Sequence, residues 1–197
     1  MERLRSKLIA FGIIVAVVIL LGVIVRELQR VGVHQGYEPD QPIAFSHKIH
    51  AGDNKISCLY CHFGAEKSRH AGIPPTNVCM NCHSVIKQDS PEVAKLYEAI
   101  EKQQPIEWVK VHNLPDYVYF NHSQHVKAGV SCQDCHGQVE TMTRMRQENT
   151  LTMGWCISCH REQGVTPPEG HKAVSDEILV EGSPYPFGGL DCAKCHY

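Results

Sequence analysis

All ten cysteines of this 197-residue chain fall in Cys-x-x-Cys-His units. The five units are Cys58-Leu-Tyr-Cys61-His62, Cys79-Met-Asn-Cys82-His83, Cys132-Gln-Asp-Cys135-His136, Cys156-Ile-Ser-Cys159-His160 and Cys192-Ala-Lys-Cys195-His196. This spacing is the attachment signature of c-type haem. The two thiols add across the porphyrin vinyl groups, and the adjacent histidine lies under the iron as proximal ligand. With no cysteine left over, the pattern predicts five covalently attached haem c groups, with His62, His83, His136, His160 and His196 as proximal ligands. Other uses of paired cysteines fit less well. A zinc ribbon has no need of a histidine directly after each second cysteine. A disulfide framework uses varied spacings and gains little from a two-residue loop. A thioredoxin-like site is one pair near a βαβ pattern, not five.

Thirteen histidines are present, so eight remain after the proximal five: His34, His47, His50, His70, His112, His122, His125 and His171. That surplus suffices to supply a sixth ligand to every iron. Two segments carry it in order. Residues 45–62 read FSHKIHAGDNKISCLYCH and residues 120–136 read FNHSQHVKAGVSCQDCH. Both contain Phe-x-His-x-x-His, then Ala-Gly, then an aliphatic residue and serine before the first cysteine. Each is followed by a second attachment unit, Cys79 lying 21 residues after Cys58 and Cys156 lying 24 after Cys132. Internal similarity of this kind means duplicated structural units. On one helical turn, residues three apart face similar directions, so two such histidines can reach two different irons. His47, His50, His122 and His125 are therefore expected as distal ligands, with the phenylalanine packed on a porphyrin face.

The positioning elements are few. Leu8 to Val25 is an uninterrupted apolar run of 18 residues without charge. As a helix it is about 27 Å long, against a hydrocarbon core of about 30 Å. No small-x-small cleavage site follows it, so an uncleaved single span is expected. Arg3, Arg5 and Lys7 before the run favour a cytoplasmic N-terminus. Haem c is attached outside the cytoplasm, which places the attachment units on the periplasmic side of a bacterial inner membrane. Between the two repeats, Ser90 and Pro91 open a helix whose Val93, Leu96, Tyr97 and Ile100 form one apolar face, and Gln103-Gln-Pro105 ends it. Ile106 to His112 looks extended, and residues 161–191 are rich in proline and glycine and read as a long loop. The expected fold is mostly α and irregular: an N-terminal transmembrane helix, then a haem-packed multihaem domain with little regular secondary structure. Its expected divisions are an anchor at 1–33, a two-haem module at 34–104 and a three-haem module at 105–197.

Charge excludes one class of partner. The formal net charge is −2, which gives no basic field for nucleic acid. Haem propionates take the oxidised, loaded chain to roughly −7. Aromatic residues make up only 7% of the chain, so haem faces are expected to supply most of the apolar core, and the apoprotein is not expected to fold.

Several stretches resemble one family. Trp108-Val-Lys-Val-His-Asn-Leu-Pro-Asp-Tyr-Val-Tyr-Phe-Asn-His-Ser-Gln-His125, Phe45-Ser-His-Lys-Ile-His-Ala-Gly52, Arg69-His-Ala-Gly-Ile-Pro-Pro75 and Leu151-Thr-Met-Gly-Trp-Cys156 are similar to the pentahaem, membrane-anchored cytochrome c subunit of alternative complex III. Multihaem subunits of related quinone-reductase complexes share much of this pattern. The resemblance implies a bacterial respiratory assembly that oxidises quinol and reduces a cytochrome c or an oxidase. It implies neighbours as well: an iron–sulfur subunit, polytopic quinone-binding membrane subunits and another c-type cytochrome. His112, by its place in the first of these stretches, is the expected fifth distal ligand. His70, His171, Met142, Met145 and Met153 remain alternatives. Full coordination of every iron leaves no open site for substrate, so the chain is expected to conduct electrons and to catalyse no bond chemistry. A multihaem reductase needs an open iron, often marked by a Cys-x-x-Cys-Lys variant, and none occurs. A small anchored quinol dehydrogenase differs by binding quinol without other subunits.

Overall fold

The computed structural model describes residues 2–162 and 192–197. Among these there is no strand; seven α-helices are joined by irregular chain and short turns. The proline- and glycine-rich stretch beyond Glu162, with His171, lies outside the described residues. The chain falls into two units, 1–33 and 34–197.

The first unit is one helix, α1, Glu2–Leu28. Its apolar side chains are open to the surroundings along the whole length, Phe11 by 66% and Leu20 by 59%. The stretch Arg3–Leu28 is long and apolar enough to cross a membrane. At 26 residues its length is about 39 Å. A helix apolar on all sides has no stripe to lay on a soluble core, so burial must come from lipid or from other helices.

The second unit has a small side-chain core. Its buried apolar residues are Ile43, Ala65, Val93, Leu96, Val111, Met142 and Leu151. Its helices are short: α2 Cys58–Cys61, α3 Thr76–His83, α4 Pro91–Glu101, α5 His122–Lys127, α6 Cys132–His136 and α7 Met153–Glu162. Three of these, α3, α6 and α7, contain a whole attachment unit; α2 holds Cys58 and Cys61 with His62 just past its end, and a 3₁₀ turn at Cys192–Lys194 opens the fifth.

The helix expected after Ser90 is present as α4, with Pro91 at its first position. Ser90 has the extended backbone of an N-cap, but its side-chain oxygen accepts no hydrogen bond from the helix amides. Glu92 in the first turn instead accepts from the Ala44 amide at 2.7 Å and pairs with Lys95 at 2.9 Å. Only Val93 and Leu96 of its apolar face are buried; Tyr97 and Ile100 stay exposed. Tyr97 is held through its hydroxyl, which donates to the His83 carbonyl at 3.1 Å. The segment from Ile106 pairs with no strand. The Gln41 side chain takes that place: its amide donates to the Val109 carbonyl at 3.0 Å and its oxygen accepts from the Val109 amide at 2.9 Å.

Among the described residues, Gln147 is the one side chain with no exposure at all. Its oxygen accepts from the Asn113 amide at 2.8 Å and its nitrogen donates to the Asn149 carbonyl at 2.9 Å. Its backbone pairs with Gly36 and Tyr37. A buried amide so fully satisfied ties three separate stretches of an otherwise irregular chain.

Candidate haem-binding site

The two repeats build matching local structures. In the second repeat, α5 is an ordinary helical turn, capped by Asn121, whose side chain accepts from the Ser123 amide at 3.0 Å. The first repeat is one residue longer between its second histidine and its cysteine. The extra residue is absorbed as a π-helical turn at Lys48–Asp53, the usual way a helix takes an insertion. Both turns close alike, Ile56 donating to the His50 carbonyl and Val130 to the His125 carbonyl, each at 3.1 Å. The residue before that aliphatic position is left-handed in both, Lys55 at φ 55° and Gly129 at φ 82°. Gly129 thus matches Lys55 in space rather than Gly52. The latter does something else: a Cβ there would run into the Glu140 carbonyl, where the π turn packs on a 3₁₀ turn at Val139–Thr141. Ser131 caps α6, accepting from the Gln133 amide at 3.3 Å while the Asp134 carboxylate accepts from the Ser131 amide at 3.1 Å.

These turns set four pairs of histidines face to face. His47 stands opposite His62 with ring centres 6.5 Å apart and planes at 11°. His122 stands opposite His136 at 6.3 Å and 5°. His50 faces His83 at 6.1 Å and 62°, and His125 faces His160 at 6.1 Å and 50°. Each repeat therefore sends its first histidine to the proximal histidine of its own motif and its second to that of the next. With an imidazole nitrogen about 2 Å from a metal on either side, two rings sharing that metal have centres roughly 6.3 Å apart. The four spacings fit an iron between each pair.

Ring tautomers fit as well. His50 and His125 offer Nδ1 to the carbonyls four residues back, Ser46 and Asn121, each at 2.8 Å. His122 offers Nδ1 to the Arg69 carbonyl at 2.8 Å. Among the proximal residues, His62 reaches the Gly72 carbonyl at 2.6 Å, His83 the Ile86 carbonyl at 3.1 Å and His196 the Tyr117 carbonyl at 2.9 Å. A proton fixed on Nδ1 leaves Nε2 as the metal-binding nitrogen. The His47 Nδ1 is buried without a partner among the described residues. Phe45 and Phe120 orient the pairs: Phe45 stacks on His50 at 4.3 Å, Phe120 lies tilted over His125 at 4.4 Å, and each meets the first histidine of its pair edge-on, at 4.9 and 4.8 Å. Their contacts are with imidazoles, two and five residues along the same chain.

Burial favours the neutral imidazole at His47, His136 and His125. It pushes His47 down to about 4, helped by neighbouring His62 and His50, and pushes His136 down to about 3, helped by His112 and His122. His125 is lowered chiefly by burial too. The thiols move the other way. Burial raises Cys135 to about 11, with Cys159, Asp134 and Cys156 adding to it. The same neighbour effects trace how the attachment sites adjoin. Cys61 lies near Cys79 and Cys82. Cys132 lies beside Cys58. Cys156 lies near Cys195. The sites thus run in the spatial order Cys79/Cys82, Cys58/Cys61, Cys132/Cys135, Cys156/Cys159, Cys192/Cys195.

Family comparisons agree with this constellation. A cytochrome c3 family model matches residues 124–197, and a class III cytochrome c family model matches residues 27–116. The chain is a multihaem cytochrome c. It holds covalently bound c-type haem. The multiheme cytochrome c subunit of menaquinone reductase from Nitratidesulfovibrio vulgaris is a relative, 36% identical over 100 residues, which cover 50% of this cytochrome and 47% of the relative. The match spans about half the length of that curated protein.

His112, expected as the fifth distal ligand, lies against His136. Its Nε2 lies 3.1 Å from Nδ1 of His136, with ring centres 4.4 Å apart and planes at 84°. No described histidine ring faces His196. His70 is exposed, as is Met153, while Met142 is buried and Met145 half-buried. Other functional contacts went unread in the sequence. Arg69 gives its carbonyl to both His122 nitrogens, backbone and ring, and its guanidinium covers Tyr119 and Tyr197 at 5.3 and 5.6 Å. The motif around Arg69 carried the signal, but nothing in composition or periodicity points to a carbonyl acceptor.

Proposed function

We propose that this cytochrome conducts single electrons as one subunit of a membrane-bound respiratory quinone oxidoreductase. A bound haem supplies an iron that gains and loses one electron without bonding to substrate. Cys58, Cys61, Cys79, Cys82, Cys132, Cys135, Cys156, Cys159, Cys192 and Cys195 attach five such groups. His62, His83, His136, His160 and His196 ligate them from one side, and His47, His50, His122 and His125 complete four of them from the other. The single observation that carries the reading is the set of four facing histidine pairs at 6.1–6.5 Å. Histidines holding a group from both sides would leave no open position for substrate, and the chemistry such a group would supply is electron transfer.

The modules at 34–104 and 105–197 meet where Cys58 adjoins Cys132, which supports one continuous conduit with the Cys79/Cys82 site at one end and the Cys192/Cys195 site at the other. The helix α1 is the single-pass anchor, with its N-terminus in the cytoplasm and the haem-binding unit outside the inner membrane. One span is too narrow to form a quinone cleft, so that site belongs to polytopic partners. Iron–sulfur and further cytochrome c subunits complete the assembly, as in alternative complex III, and deliver electrons to a soluble cytochrome c or an oxidase. A second reading concerns direction. The relative is named a menaquinone reductase, which favours electrons running into the quinone pool.

The isolated, fully loaded chain should be reduced by dithionite yet show no quinol:cytochrome c turnover, whereas the intact membrane complex should show it. Inhibitor-sensitive quinol oxidation by the chain alone would overturn the subunit reading in favour of a self-sufficient quinol dehydrogenase. Net quinone reduction by the complex from a reduced soluble cytochrome would establish the opposite direction.

A further inference from the structure

We infer that His112 is a positioning residue for the His136 ligand, its Nε2 accepting the Nδ1 proton of His136 and lowering the reduction potential of the haem held by Cys132, Cys135 and His136. The inference rests on the haem-binding reading above. A ligated imidazole has one N–H left, at Nδ1, so His136 must be the donor in the 3.1 Å contact and His112 the acceptor. His112 then carries its own proton on Nδ1. The edge-on geometry, with planes at 84°, sets the two nitrogens together without stacking the rings.

Neighbouring residues hold His112 there. Val111 is buried, and the Asn113 amide is clamped by the fully buried Gln147 side chain at 2.8 Å. The ring is thus fixed from both sides along the chain. Three other proximal histidines, His62, His83 and His196, use backbone carbonyls as acceptors. An imidazole nitrogen is a stronger base than an amide oxygen, so it draws the proton further and makes His136 more imidazolate-like. Such a ligand favours ferric over ferrous iron. His62 and His136 are equivalent positions of the repeat, yet one meets the Gly72 carbonyl and the other meets His112. Two sites of common construction are thereby made electrically unequal, at the point where the modules adjoin.

The test is potentiometric titration of the full haem-loaded chain, with peptide mapping by mass to verify haem on Cys132 and Cys135. His112→Leu removes the acceptor. One potential should rise by about tenfold in the reduction equilibrium, or ~59 mV for one electron, the lower end of effects seen for partners of metal ligands. His112→Gln places an amide oxygen near the position of Nε2, so it should give a smaller rise. In both variants all low-spin signals should persist. An unmoved potential in His112→Leu, or a new high-spin haem in both variants, would overturn the inference, the latter by making His112 itself an iron ligand. Absence of haem on Cys132 and Cys135 in the unaltered chain would instead sink the underlying site reading.

Discussion

Replacing His47 and His50 one at a time separates the two kinds of site that this cytochrome builds. His47 and His62 are nearly coplanar in orientation, at 11°, as are His122 and His136 at 5°. His50 and His83 are crossed at 62°, and His125 and His160 at 50°. When both axial imidazoles lie parallel, they donate into the same iron d orbital and split it from its partner, giving a rhombic low-spin signal. When they are crossed, the two orbitals stay close in energy and the signal becomes strongly anisotropic. His47→Ala should therefore remove about a third to a half of the rhombic intensity, according to the class the fifth site joins, and leave the anisotropic class whole. His50→Ala should do the reverse. In each variant one iron per chain should turn high-spin or bind carbon monoxide once reduced. The assay is electron paramagnetic resonance of the oxidised chain, integrated by class. Loss of the same class in both variants, or loss from both classes in either, would refute the pairing of the repeat's two histidines with different irons.

Gly52→Ala should destabilise the loaded protein by about 1–3 kcal/mol, because the new Cβ meets the Glu140 backbone carbonyl; the melting temperature of the holoprotein reports it. Gln147→Leu should cost about 1–3 kcal/mol for each group it strands, the Asn113 amide and the Asn149 carbonyl; denaturant midpoints measure this. Acid should dismantle the sites. His47 and His136 fall to about 4 and about 3 when folded, against 6.5 when free. Their folded values are depressed, so the stability they contribute is complete above about 6.5 and is lost as pH falls through 4 and 3. Ligation acts in the same sense, and the low-spin Soret band should hold at neutral pH and collapse only on strong acidification.

The covalent chemistry was legible because it is written in adjacent residues. Cys-x-x-Cys-His needs no tertiary structure to be read, and Phe-x-His-x-x-His needs only one turn of helix. The long apolar run from Leu8 likewise announces α1, and Ser90-Pro91 announces α4. What sequence could not supply is acceptor identity. Gly72, Ile86 and Tyr117 receive ring protons through backbone carbonyls, which every residue type possesses. His112 illustrates the same limit from the other side. A spare histidine near haem motifs reads as a ligand, and only placement against His136 gives it another partner. The repeat also hid an offset: matching Ala-Gly to Ala-Gly aligns Gly52 with Gly129, whereas the backbone aligns Lys55 with Gly129 because the first repeat takes its extra residue as a π turn. Tyr97 and Ile100 show that helical periodicity locates a face without telling how much of it is covered.

Near-infrared magnetic circular dichroism of the oxidised, haem-loaded chain tests the account most directly, since it counts irons with two histidine ligands against total iron. The four facing pairs predict that at least four of five irons per chain carry the bis-histidine band. Fewer than four, with the balance high-spin at neutral pH, would contradict an electron conduit with its axial positions closed.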